Sequence, residues 1–158
     1  METPNTINSW ATETFGRRTP IEILVRCNIE LAELLSAVHV GADLPTIKDE
    51  LADVNIMLSQ AFDEMHVTQR DVLETHYFHD TILSAVYRCN AHMALLMAQV
   101  NAAPESLLGR QLLEDTHQDL LAVCKILEVD LQEVTDLKMQ INRARVWKKT
   151  ESGRFQHA

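Results

Sequence analysis

Apolar residues recur at helical spacing along nearly the whole chain, and no alternating apolar–polar run is long enough to suggest a strand. Thr19-Pro20-Ile21-Glu22 reads as a helix start, with Thr19 as N-cap, Pro20 as first helical residue and Glu22 closing a capping box. That helix is predicted to reach about Val40, where Gly41-Ala42-Asp43-Leu44-Pro45 breaks it. A second is predicted from about Thr46 to Met65. A third runs from a capping box at Thr68–Asp71 to about Asn101, with a break near His76–Asp80. A fourth restarts at Pro104 and ends near Val129, and the last spans Asp130 to about Lys149. Residues 1–18 place Ile7, Trp10 and Phe15 at a spacing that anchors a short helix or arm. The predicted fold class is all-α: one domain over 1–158, a helical bundle of antiparallel helix hairpins.

The chain echoes itself at an offset of 62 residues. Arg26-Cys27-Asn28 falls on Arg88-Cys89-Asn90. Ala32, Leu34 and Val38 fall on Ala94, Leu96 and Val100. Leu51, Asp53 and Leu58 fall on Leu113, Asp115 and Leu120, and Val67 and Val72 on Val129 and Val134. These 11 identities suggest an internal duplication: a first hairpin at about 19–66, a second at about 83–129, and a C-terminal helix with a basic tail over 130–158. In the second copy Glu30, Glu33 and Glu50 become His92, Leu95 and Leu112, and only Asp53 keeps an acid, Asp115. One half would then retain a carboxylate site and the other serve as scaffold.

Those carboxylates interrupt otherwise core-forming helices. Glu30 and Glu33 are three residues apart, and Glu50 and Asp53 repeat the spacing after a gap of 16 residues. On a helical wheel Arg26, Glu30 and Glu33 occupy a narrow polar arc flanked by apolar residues, whereas a solvated face is usually wider. The plain alternative is a pair of solvent-facing acidic stripes. Acids gathered between apolar helices repel one another and lose hydration, an arrangement that a bound cation relieves. All-oxygen donors point to Mg²⁺ or Mn²⁺ rather than Zn²⁺.

Charge and composition narrow the partners. A net charge of −9 argues against nucleic acid and against an anionic membrane surface. No apolar run approaches a membrane span and no signal segment is evident. Cys27, Cys89 and Cys124 read as reduced core residues of a cytoplasmic protein. Against the acidic background, Lys138, Arg143, Arg145, Lys148, Lys149 and Arg154 face only Glu151 between 138 and 154, a concentration suited to anion capture. Lys138, Asn142 and Arg145 share one helix face. The alternative is a solvated helix end favoured by the dipole. Trp10 and Trp147 are candidates either for stacking on a base or for packing. The histidines form no metal set.

At these residues the sequence resembles a known family. Glu30-Leu31-Ala32-Glu33, the gap, and Glu50-Leu51-Ala52-Asp53 resemble the ExxE…ExxD pattern of the MazG-like all-α nucleoside triphosphate pyrophosphohydrolases. LKMQINRARVWK, residues 137–148, resembles the KM-x-x-N-R-x-R-x-W segment of bacterial and phage members, and FGRRTPIEILVRCNIELAEL, residues 15–34, resembles their N-terminal region. The likeness covers 5–66 and 128–150, while 77–127 matches the family pattern poorly. It implies a helical core completed by oligomerisation, as a dimer or tetramer. It further implies Mg²⁺ (or Mn²⁺) held by Glu30, Glu33, Glu50 and Asp53, with Lys138 and Asn142 at the phosphate end. The implied reaction splits a triphosphate into monophosphate and pyrophosphate. A purine deoxynucleotide such as dGTP or dATP is the first expectation for the substrate, and a pyrimidine such as dCTP or dUTP the alternative. Two other classes compete. A ferritin-like di-metal bundle wants ExxH pairs, and neither acidic pair ends in His. A non-catalytic helical interaction module would sit more easily with a broken quartet.

Overall fold

The computed structural model describes residues 1–70 and 81–148, and the backbone of 149 and 155–157. Six helices account for most of it: α1 (Pro4–Phe15), α2 (Pro20–His39), α3 (Leu44–Glu64), α4 (Ile82–Ala102), α5 (Leu107–Leu127) and α6 (Leu131–Ala144). Local chemistry fixes their starts. The Glu22 carboxylate accepts from both the backbone N–H and the hydroxyl of Thr19, each at 2.8 Å, and Pro20 occupies the first turn of α2. Asp43, Thr81, Ser106 and Asp130 cap α3, α4, α5 and α6 with side-chain oxygens that accept backbone N–H groups.

α2 packs along α3 and along α4, and α4 along α5. Their shared core holds Leu24, Cys27, Leu31 and Leu34 from α2, Leu51, Leu58 and Phe62 from α3, Cys89, Met93 and Leu96 from α4, and Leu113 and Leu120 from α5, all essentially without exposure. Each large apolar side chain so buried contributes roughly 1.5–3 kcal/mol of transfer free energy. α1 and α6 both lie on α3, around Ile7, Ile56 and Met139. Polar contacts set the position of α6. Asn55 donates to the Thr135 hydroxyl at 2.9 Å from inside the α3–α6 interface. The Glu2 backbone N–H donates to Asp136 at 2.7 Å, and the Glu2 carboxylate takes two hydrogen bonds from Arg143 at 2.9 and 3.0 Å. Lys138, one turn beyond Thr135, is thereby turned toward α3.

Local geometry repeats at the offset of the sequence echo. Thr19 and Thr81 are both N-caps. The Cys27 thiol donates to the Val54 carbonyl at 3.8 Å, and the Cys89 thiol to the Thr116 carbonyl at 3.4 Å. His66 and Glu128, with φ of 55° and 54°, are the described non-glycine residues with left-handed backbone. Just beyond them, Val67 donates to the Phe62 carbonyl and Val129 to the Cys124 carbonyl, both at 2.9 Å. Each of these pairs is 62 residues apart.

Several predicted boundaries need correction. Thr68–Arg70 is not helical, and α4 spans Ile82–Ala102. The expected helix break near His76–Asp80, and Asp71 of the expected capping box, lie outside the described residues. Pro104 does not open a helix; Ser106 caps α5 instead, with its hydroxyl accepting from Gly109 at 3.0 Å. The last helix stops at Ala144, not Lys149. Trp147–Lys149 then forms β1, paired antiparallel with β2 at Phe155–His157. A three-residue strand is too short to leave a period-2 signature.

Candidate metal centre

Glu30, Glu50 and Asp53 come together where α2 faces α3, and one carboxylate oxygen from each lies within 4.8 Å of the others. The ExxD spacing puts Glu50 and Asp53 on successive turns of one α3 face, and Glu30 meets them from α2. Glu30 is buried, and Glu50 and Asp53 are half-buried. Burial pushes the Glu30 carboxyl up to about 7, with the charges of Asp53 and Glu33 adding to the rise and Arg26 opposing it from 2.5 Å. Glu50 is also raised, by burial first and then by Glu33 and Asp53. Burial raises Asp53 too, although Lys138 pulls the other way. Glu33 is exposed and outside the three-residue cluster, yet close enough for its charge to press on Glu30 and Glu50.

Lys138 completes the constellation. Its side chain is only 7% exposed, and Nζ lies 2.6 Å from Asp53 Oδ2 and 2.6 Å from Asp49 Oδ2. Burial alone would lower its pKa, but hydrogen bonds to the two aspartates more than offset this and hold the ammonium charged. Asn142 is buried one turn further along α6, and its side-chain oxygen accepts from Arg145 at 3.0 Å. Arg145 follows α6 in extended backbone and is near enough to lower the Asp53 pKa. Trp10 and Trp147 are half-buried and pack edge-on with Phe15, at centroid distances of 5.4 Å (Trp10–Phe15) and 5.0 Å (Phe15–Trp147). The Trp147 ring N–H donates to the Asn142 carbonyl at 3.1 Å. Both rings thus pack in an aromatic cluster at the end of α6. Lys148 is exposed, and Arg154 and Glu151 lie outside the described residues.

Sequence reasoning missed Asp49. Its position directly before Glu50 offers no periodic signal, and its partner Lys138 is 89 residues away. The corresponding region of α4 and α5 is built differently. His92, at the place of Glu30 in the echo, brings Nδ1 to 2.7 Å from Asp119 Oδ2, and Arg88 Nε lies 3.7 Å from the same wholly buried carboxylate. Arg88 and His92 accompany that acid. His117 is buried as well, and burial lowers its pKa to about 4.

The donors of the cluster are all carboxylate oxygens, desolvated and mutually repelling, which is the chemistry a hard divalent cation satisfies. Ligand oxygens around such an ion, bound at about 2.1 Å, lie about 3–4 Å apart, so small side-chain rotations would suffice to close the set. No family model, curated protein or solved structure matches this chain. Among the described residues, no helix is long and apolar enough to cross a membrane.

Proposed function

We propose that the chain is a divalent-metal-dependent nucleoside triphosphate pyrophosphohydrolase acting in nucleotide-pool editing. The observation that carries the reading is the meeting of Glu30, Glu50 and Asp53 with the Lys138 ammonium at one edge. The resemblance to MazG-like proteins adds the reaction type, and the preferred substrate in this reading is a purine deoxynucleotide such as dGTP or dATP. Glu30, Glu50 and Asp53 hold the cation. When bound, Mg²⁺ or Mn²⁺ supplies charge neutralisation for the polyphosphate and activation for the attacking water. Lys138 and Arg145 take up phosphate charge from the α6 side. Glu33, whose carboxylate is exposed beside the cluster, is placed to accept the proton that water gives up. Attack at the α-phosphorus breaks the α–β bridge and releases pyrophosphate, leaving the monophosphate.

The likeness in local geometry between α2–α3 and α4–α5 supports reading them as two hairpins of one duplicated design. The proposed assembly is a homo-oligomer in the cytoplasm. A monomer in sedimentation would instead leave α4 and α5 as the elements that close the bundle. The function is tested by incubating the purified chain with each NTP and dNTP plus Mg²⁺ and separating the products. Equal amounts of monophosphate and pyrophosphate support it; diphosphate with inorganic phosphate, or no turnover of any nucleotide, overturns it.

A further inference from the structure

Asp53 belongs to two sets at once. It is the third carboxylate of the acid cluster and also one of two partners of Lys138. The other partner, Asp49, lies one turn earlier on the same face of α3 and outside the cluster, with its side chain 57% exposed. Lys138 itself is almost fully covered, so its ammonium has little water to fall back on.

If the acid cluster is a cation site, as the functional reading holds, the cation and the ammonium compete for the negative charge of Asp53. With Asp53 as sole partner, filling the site would strand a buried ammonium beside a dication. We propose that Asp49 is a positioning residue: it keeps Lys138 seated at the rim of the cluster once a divalent cation draws on Asp53. Lys138 then need not leave. It shifts its weight to Asp49 and stays within reach of the anionic group that arrives with the cation. Asp49 touches neither, and acts through Lys138 alone.

The alternative is that Asp49 is only a nearby negative charge that helps attract cations. A double-mutant cycle on Mn²⁺ binding, measured by calorimetry on the full chain without nucleotide, separates the two. In the positioning role, Asp49→Asn weakens Mn²⁺ about tenfold when Lys138 is present, the size of one lost charge-assisted contact. In a Lys138→Met background the same change alters Mn²⁺ affinity less than about twofold. Asp49→Glu, whose carboxylate still reaches the ammonium, restores most of the affinity. With nucleotide and saturating metal, Asp49→Asn raises KM more than it lowers kcat, because phosphate capture is what a wandering Lys138 loses. Equal weakening in both backgrounds overturns the Asp49 role and leaves the metal site standing. A wild-type chain that binds no Mn²⁺ overturns the metal site itself. Asp49→Asn is at an exposed helical position, and an unchanged helical circular dichroism spectrum verifies that each variant is folded.

Discussion

The carboxylates of Glu30 on α2 and Asp53 on α3 bring oxygens within 4.8 Å of each other, and the charge of Asp53 helps to raise the Glu30 pKa. Between the ordinary carboxylate range and about 7, folded Glu30 holds a proton that the unfolded chain has released. The stability of the metal-free protein should therefore fall as pH rises through that window and level off above it. Glu50 and Asp53, also raised, add to the same trend. His117 acts in the opposite sense: its pKa is lowered to about 4, so stability is lost as pH drops below 6.5. Melting curves from pH 5 to 8, with and without millimolar Mn²⁺, separate the two. The metal-dependent gap should widen with pH, and His117 contributes nothing to it. A gap that stays constant would speak against carboxylate ligation.

Glu50→Gln removes one of three crowded charges while keeping the shape of the side chain. The metal-free variant should melt above the wild type, because repulsion with Asp53 and Glu33 is relieved. Its melting point should not rise with Mg²⁺, whereas the wild type's should. Its kcat/KM should fall beyond the roughly 10–100-fold typical of losing a supporting partner. A variant that loses stability and keeps activity would show that Glu50 is a structural acid.

The three cations of the α6 end should behave differently. Lys138→Ala leaves Asp49 and Asp53 without their ammonium, so it should cost about 1–2 kcal/mol of stability as well as activity. Arg145→Ala should lower kcat/KM about 10–100-fold and cost about 1 kcal/mol of stability, since the buried Asn142 side-chain oxygen loses the hydrogen bond it accepts. Lys148→Ala, at an exposed strand position, should stay within about 0.5 kcal/mol in stability and near wild type in rate. Steady-state kinetics with parallel thermal melts checks all three, and equal small effects would remove α6 from phosphate binding.

His66→Gly and Glu128→Gly should each stabilise the protein by about 0.5–1 kcal/mol, because both residues sit in a left-handed conformation that glycine adopts without strain. Both side chains are exposed, so no packing is lost. Denaturant midpoints measure the gain. Near-equal gains at the two positions would show that the turns are equivalent in energy as well as in angle.

Helix starts were legible at Thr19-Pro20 and at Asp130, where a cap and a first-turn signal coincide. Pro104 misled because proline marks only where a helix is permitted to begin, whereas Ser106 supplies the hydroxyl that the first turn needs. The end of α6 was illegible for a different reason. Residues 145–149 contain no Gly or Pro to end a helix, and Trp147–Lys149 pairs instead with Phe155–His157 in a short hairpin. The cluster was foreshadowed by acids among apolar neighbours, which is a local signal. The exposure of Glu33 was not, because which turn of the ExxE pair is covered depends on neighbouring helices far along the chain. Asp49 escaped altogether, since its role comes from a lysine on another helix.

α2 packs against α4 within a single chain. In a two-fold assembly of identical subunits every contact residue must suit its own copy across the axis, and each substitution is made twice. At the α2–α4 contact no such self-matching is demanded, because the two helices differ in sequence. Glu30 on α2 is paired with Arg26, and His92 on α4 with Asp119. The two sides of this contact can therefore change one at a time, α2 and α4 each carrying its own side chains.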